Sequence, residues 1–236
     1  IMKKLLFWMV LIVGILALAD SCAKKDSTST TTSTAACTAS DTASGSITGM
    51  DNMTGTYSLS WYGSSGNACI DNSSAITTFK NYNVVPDDSL SIKLQYIITS
   101  STSFTESVKF YTDAACATSS GYRNEGYTSV TAGDNITMTT APSPFPTYAT
   151  KVSYTYSCFV GKGETDNATT LLNNKGIGTF TKGTELAVDV TDVAYYNIMA
   201  IADNVSGSSY NCFYYGSKST SNSPDNFSAN NDVTWQ

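Results

Sequence analysis

The chain has 236 residues, of which 41% are hydrophobic and only 14% charged, against about 25% charged residues in an average soluble protein. Serine and threonine fill the deficit with 67 residues, a composition that favours strands and turns over helices. The absence of histidine excludes Ser-His-Asp triads and imidazole zinc sites, and a net charge of −6 with one arginine, Arg123, argues against nucleic-acid binding.

The first segment has the layout of a secretory signal peptide. Lys3 and Lys4 precede an apolar run at 5–19, after which Asp20, Ser21 and Cys22 follow. As a helix this run rises about 22 Å, less than the roughly 30 Å hydrocarbon core of a membrane. A cleaved signal over residues 1–21 is therefore predicted in preference to a transmembrane anchor.

Cys22, placed directly after the apolar run, makes residues 2–25 resemble a bacterial lipoprotein precursor. In that family the signal is cut before a cysteine whose thiol carries diacylglycerol. The residues before Cys22, with Leu18 one position too early, are similar to the relaxed cleavage boxes of spirochaete lipoproteins. The resemblance implies lipid attachment at Cys22 and an outer-membrane location, in the surface or the periplasmic leaflet. The alternative is a secreted protein with Cys22 removed or disulfide-bonded.

Residues 22–49 are predicted to form the anchor and a flexible tether. They are rich in serine and threonine and contain almost no large apolar side chain, so they bury too little surface to offset the entropy of ordering. Without residues 1–21 the chain keeps 11 basic (13 − 2) and 18 acidic (19 − 1) residues, a net charge of −7. This balance suits cationic or neutral partners. Cys37 could be a free thiol, a partner for a domain cysteine or an intermolecular bridge.

Residues 50–236 show repeated alternation of apolar and polar positions, which is typical of half-buried strands. Turn-forming sequences separate these runs, and eight to ten antiparallel strands at this spacing predict an all-β barrel or sandwich. A helix is expected at most for one or two turns at 166–172. The prolines at 142–146 could divide two small β domains, but one domain with a long loop is preferred. The alternating runs are Tyr57–Trp61, Leu90–Ile98, Phe104–Phe110, Ile136–Met138, Val152–Cys158, Leu186–Val190, Ile198–Ala202 and Cys212–Tyr215.

Four cysteines of the domain are predicted to form two disulfides, because secretion places them in an oxidising compartment. Pairing within each half of the domain gives Cys69 with Cys116 and Cys158 with Cys212, and leaves Cys37 over. Each bridge would close a loop of about 50 residues and contribute about 3 to 4 kcal/mol. A buried thiol is the alternative for Cys158, which lies in register with core residues.

A second resemblance concerns three short segments, GTYSLSWYGSSGNAC at 55–69, SFTESVKFYTDAAC at 103–116 and EGYTSV at 125–130. Their layout is similar to that of small secreted calycin-type barrels of bacteria, although Tyr57 stands where the lipocalin signature has tryptophan. The resemblance implies a barrel with an apolar cavity.

Residues that could carry chemistry form no recognisable motif. Asp87-Asp88 and Asp189 with Asp192 offer calcium ligands without a binding-loop pattern. The four glutamates, at 106, 125, 164 and 185, give no reason to choose a catalytic pair. The glycine segments 161–163 and 175–178 are interpreted as hairpin turns, and the aromatic stretches 195–196 and 213–215 as core in preference to a contact surface.

We therefore expect no catalytic residue, metal or cofactor. The first hypothesis is an outer-membrane lipoprotein that displays a non-catalytic, monomeric all-β domain for a protein or glycan partner. The second is a calycin-like carrier of a small apolar ligand, and a hydrolase is the least favoured reading.

Overall fold

The part of the chain that the structure describes forms one antiparallel sheet of eight strands in sequential order, which curls into a nearly closed barrel of seven strands. The structure, a computed structural model, describes residues 37, 39–50, 53–59, 69–141, 145–203, 211–227 and 233–235. The predicted all-β antiparallel barrel is confirmed. The predicted signal peptide and Cys22 lie outside the described residues.

The strands differ widely in length, and the central three are the longest, with 19, 16 and 18 residues. Register shifts interrupt the pairing of the first two of these at three places, and such bulges bend long strands enough to close a barrel. The strands are β1 (Thr56–Ser58), β2 (Ser91–Ser100), β3 (Ser103–Tyr111), β4 (Ser119–Thr137), β5 (Tyr148–Gly163), β6 (Leu186–Asp203), β7 (Asn211–Tyr215) and β8 (Val233–Trp235).

The described residues include two short helices that pack against the barrel core, α1 (Ser73–Asn81) and α2 (Asp166–Asn173). The sequence predicts α2, which Thr165 caps by accepting the Ala168 N–H at 3.2 Å, but it does not predict α1. The Asn72 side chain caps α1 by accepting two backbone N–H groups at 3.0 and 3.1 Å. Among the described helices, neither has the length and apolar character needed to cross a membrane.

The main hydrophobic core fills the barrel interior. Tyr57 of β1 lies 5.2 Å from Phe213 of β7 between ring centroids, and Tyr96 of β2 lies 5.5 Å from the same ring. β1 and β2 lie at one end of the strand order and β7 near the other, so these contacts cross the interior. The inward side chains therefore bring the two ends of the sheet together.

The predicted tether is partly wrong, because its second half belongs to the folded body. Ala39 and Ile47 are buried, and the segment runs across the outside of the sheet before it enters the core. One disulfide and a series of polar contacts fix residues that composition alone identifies as flexible. The contacts are Cys37–Cys158 on β5, Asn124 Nδ2 to Ala39 O on β4 (3.2 Å), Lys109–Asp41 on β3 (3.1 Å) and Ser44 N–H to Ile98 O on β2 (2.8 Å).

The proline segment 142–146 is not a domain boundary. β4 and β5 pair on both sides of it, from Gly121 opposite Gly163 to Thr137 opposite Tyr148. Residues 142–144 lie outside the described residues, but Phe145 is buried. The alternative of two small β domains is therefore wrong.

Phe145 belongs to a second, smaller core on the outer side of the sheet. Its ring lies 5.0 Å from that of Phe227 and 5.9 Å from that of Tyr214, between centroids. Cys212 and Ile198 are buried in the same cluster. Phe145 and Phe227 thus cover part of the outer face of the barrel.

Asp113 organises the loop between β3 and β4, and its replacement tests that role. The carboxylate accepts the N–H groups of Ala117 at 3.1 Å, of Thr118, and of Ala115 at 2.7 Å, and these bonds lower its pKa from 3.8 to about 2. A carboxylate whose pKa is lower in the folded protein stabilises the fold at pH values above its ordinary pKa. This stabilisation disappears as the pH falls through the pKa of the folded protein. Asp113→Asn should therefore lower the urea midpoint at pH 7, with the difference narrowing from about pH 4 toward pH 2.

Asp134→Asn is the matched control, because it removes the same charge from an exposed position of β4. A midpoint difference for Asp113→Asn that stays constant from pH 7 to the acid limit would contradict the prediction.

Candidate functional site

Among the described residues, four charged side chains lie inside the barrel, within its aromatic core. Alternation along the strands turns Glu106 of β3 and Arg123 and Glu125 of β4 inward, and Lys218 enters from the segment that follows β7. Glu106 stands directly opposite Glu125 in the β3–β4 register. The only arginine of the chain is therefore part of a buried cluster.

The four charges form two ion pairs. Arg123 Nη1 contacts Glu125 Oε1, and these side chains are 4% and 7% exposed. Lys218 Nζ lies 3.6 Å from Glu106 Oε2, with 9% and 4% of the side chains exposed. Burial of an unpaired charge costs several kcal/mol, so the balance of two cations and two anions is what allows the cluster to exist.

Tyrosine hydroxyls connect the two ion pairs. Tyr96 OH donates to Glu106 Oε2 at 3.1 Å, and Tyr127 OH donates to Glu125 Oε2 at 2.9 Å. Lys218 Nζ in turn donates to Tyr127 OH at 2.6 Å. The ammonium and the Glu125 carboxylate are thus joined through one hydroxyl group.

Further aromatic rings enclose this network. Lys218 Nζ lies 4.6 Å from the centroid of the Tyr127 ring and 5.4 Å from that of Tyr195, within the range of cation–π attraction. Tyr154 OH is hydrogen-bonded to Tyr215 OH and accepts from Asn197 Nδ2 at 3.3 Å. The polar centre of the barrel is therefore surrounded by rings that limit the access of water.

Burial shifts the central ion pair toward its neutral forms. Desolvation raises the pKa of Glu106, although the Lys218 charge opposes the shift. Desolvation likewise lowers the pKa of Lys218, against the attraction of Glu106. Burial also raises the pKa of Tyr127, which keeps its hydroxyl a hydrogen-bond donor at neutral pH.

The sequence does not identify this pair of glutamates, although a signal for it exists. Glu106 has the same parity as Phe104 and Val108 along β3, and Glu125 the same parity as Tyr127 along β4. A charged residue at an inward position of an alternating strand indicates a buried partner. The two carboxyl groups lie beneath aromatic rings and are hydrogen-bonded, whereas glycosidase carboxylates flank a sugar ring in an open cleft.

The predicted disulfides are half correct. Cys69–Cys116 is confirmed, with a Cα–Cα distance of 5.9 Å. Cys158–Cys212 is wrong, because Cys158 bonds to Cys37 and Cys212 keeps a buried thiol. The register places Cys158 opposite Asp189 of β6 and Cys212 opposite Ala202, so 13 residues (202 − 189), or about 43 Å of strand, separate them. Disulfides require Cα atoms within about 7 Å.

The remaining sequence candidates are dispersed. In the described part of the chain, no three potential metal ligands among the acidic residues and cysteines cluster, and Asp189 and Asp192 are exposed. Glu164 pairs with Lys162 at 2.6 Å, and Glu185 accepts a bond from Tyr122. The predicted hairpin turns are wrong, since 161–163 end β5 and 175–178 follow α2.

The aromatic stretches are core, as predicted. Tyr195 lies in the interior together with Phe213 and Tyr215, while Tyr214 lies in the outer core. Tyr196 is half-buried.

The chain matches no protein-family model, and a search of curated proteins gives no significant match.

Proposed function

We propose that this protein is a cell-envelope lipoprotein, anchored through an acylated Cys22, whose barrel displays a non-catalytic surface for interaction. The anchor is supported by the basic, apolar and cysteine-containing layout of residues 2–25. Several acyl chains on one residue exceed the two signals needed for stable attachment to a membrane.

The packed barrel interior is the observation that carries this proposal. The Phe104 ring lies 4.8 Å from Tyr127 and 5.1 Å from Tyr154, between centroids, and Tyr96 lies 4.9 Å from Tyr215. A carrier of an apolar ligand needs a cavity lined by such rings. Here the rings contact one another and enclose ion pairs, which favours binding on the outside of the barrel over transport inside it.

The exposed part of β4 indicates the chemistry of the partner. Its second half presents side chains that carry hydroxyl groups and little charge, and such a surface suits a neutral glycan or a polar protein surface at the envelope. The exposed hydroxyl residues there are Thr128, Ser129, Thr131 and Thr137.

Labelling with a palmitate analogue tests the anchor. The full-length protein should incorporate the label in growing cells and partition with membranes, and Cys22→Ser should abolish both. Cys212→Ser is the matched control, because it removes a buried thiol that the proposal does not use. A Cys22→Ser protein that is still labelled would refute lipidation at this residue.

Mild extraction of the same protein, followed by native mass spectrometry, distinguishes display of an interaction surface from transport of a small apolar ligand. The proposal expects the mass of the acylated chain alone. A stoichiometric small apolar molecule that leaves on unfolding would establish the carrier instead. Protease treatment of intact cells then distinguishes the surface leaflet, where the barrel is accessible, from the periplasmic one.

A further inference from the structure

The pair formed by Lys218 and Glu106 has the surroundings of a reaction site. Lys218 Nζ lies 3.6 Å from Glu106 Oε2, and both side chains are at least nine-tenths buried. The pair joins β3 to the segment after β7, two parts of the chain that are far apart in sequence. Each partner is held by further contacts, so the amine and the carboxyl group meet in a fixed arrangement.

The aromatic rings around the pair favour the neutral forms of the two groups, and these are the forms that condense. An amine attacks a carboxyl carbon only as neutral –NH2, and a carboxyl group is attacked far more readily as –COOH than as –COO⁻. Burial moves both groups toward those forms, as the lowered pKa of Lys218 and the raised pKa of Glu106 indicate. A site that excludes water also disfavours hydrolysis of the product.

A path for the proton is present beside the pair. Lys218 Nζ donates to Tyr127 OH at 2.6 Å, and Tyr127 OH donates to Glu125 Oε2 at 2.9 Å. The ammonium proton can therefore move to the Tyr127 oxygen while the Tyr127 proton moves to Glu125. Arg123 contacts the other oxygen of that carboxylate, Oε1, which leaves Oε2 to accept.

The contact of Tyr96 with Glu106 supplies the remaining polarisation. Its hydroxyl donates to Glu106 Oε2 at 3.1 Å, so it stabilises the negative charge that develops on this oxygen when the carbon becomes tetrahedral. Holding two reactants in contact is equivalent to an effective concentration of about 10⁵ M or more. Proximity and burial together favour a reaction that free amines and acids do not undergo in water.

We propose that Lys218 and Glu106 form an intramolecular isopeptide bond in the folded protein. A first proton passes from Lys218 Nζ to Glu106 Oε2, which gives –NH2 and –COOH. The nitrogen lone pair then forms the bond to Glu106 Cδ, while a second Nζ–H bond breaks and its proton passes through Tyr127 to Glu125. The Cδ–OH bond of Glu106 then breaks, and the hydroxyl group leaves as water with the proton that Glu125 returns through Tyr127. In sum, R–NH3⁺ and R′–COO⁻ give an amide and one water, and Glu125 and Tyr127 end unchanged.

Peptide mapping of the full chain tests the bond directly. The protein is purified, unfolded with its disulfides reduced and alkylated, and digested with trypsin, which does not cut after an acylated lysine. The expected product is peptide 94–109, which contains Glu106, joined to peptide 183–236, with a mass one water below the sum of the two. Separate peptides 94–109, 183–218 and 219–236 after prolonged incubation of the folded protein at neutral pH would overturn the proposal and leave an ordinary ion pair.

Variants that still fold test whether the linkage requires Lys218 and the proposed proton path. Lys218→Arg keeps a cation but should give only separate peptides, because a guanidinium group does not condense. Tyr127→Phe and Glu125→Gln each interrupt the proton path, and the linked fraction is expected to fall at least tenfold at equal incubation time. Circular dichroism identifies which of the two variants folds, and one folded variant is sufficient. A folded variant that links as fast as the parent would refute the proposed proton path.

Discussion

Replacing Arg123 with methionine is expected to lower the free energy of unfolding by about 3–5 kcal/mol, the cost of breaking a buried ion pair by removing one partner. The change leaves Glu125 in the barrel core without the cation that contacts its Oε1. Methionine has nearly the volume of arginine, so the loss measures charge more than packing. Urea denaturation followed by tyrosine fluorescence gives the value.

The double variant Arg123→Met with Glu125→Gln is the control. Arg123 Nε has no hydrogen-bond partner among the described residues, so the double change removes an unsatisfied donor together with both charges. It should recover most of the lost stability. A double variant no more stable than Arg123→Met would show that packing, and not charge balance, holds these residues in place.

Replacing both Cys37 and Cys158 with serine is expected to destabilise the fold by about 5 kcal/mol. The bridge joins residues with a sequence separation of 121, and closing this loop lowers the conformational entropy of the unfolded chain. The same treatment of Cys69 and Cys116, separated by 47 residues, should cost about 4 kcal/mol. Thermal unfolding of the two double variants gives the comparison.

Hydrogen exchange shows which region of the Cys37 and Cys158 double variant opens. Loss of the bridge should expose amides near Asn124 and Val160 to hydrogen exchange, because the N-terminal segment covers the outer face of β4 and β5 there. Removal of the Cys69–Cys116 bridge should leave this region protected. Equal exchange in both variants would contradict the role of Cys37 and residues 39–44 as a cover.

Alternation along the chain predicts the strands well, because inward burial imposes a period of two on every long strand. It does not predict α1, where Ala75, Ile76 and Phe79 face the core among serine and threonine residues of low helix propensity. The Asn72 cap is a local feature of the sequence. The burial of the apolar face against the barrel core, which also stabilises the helix, depends on tertiary structure.

The buried cluster shows a different limit of sequence reasoning. Parity along β3 and β4 could place Glu106 and Glu125 inward, but Lys218 follows β7 in an irregular segment that has no strand period. The contact between Lys218 and Glu106 depends on barrel closure, which no local pattern encodes. The Cys37–Cys158 bridge is missed for the same reason, since the position of Cys37 and residues 39–44 over the outside of the sheet is a tertiary feature.

The Cys37–Cys158 bridge also determines how the barrel would carry a mechanical load. Between the proposed lipid at Cys22 and the bridge lie only 15 residue steps (37 − 22), which span at most about 54 Å when stretched. A pull from the membrane would enter the sheet at Cys158, in the second half of β5. The neighbours of this strand, β4 and β6, are both long, so the pull would have to shear two ladders of hydrogen bonds at once. The short edge strand β1, which a direct N-terminal pull would peel away first, would carry none of that force.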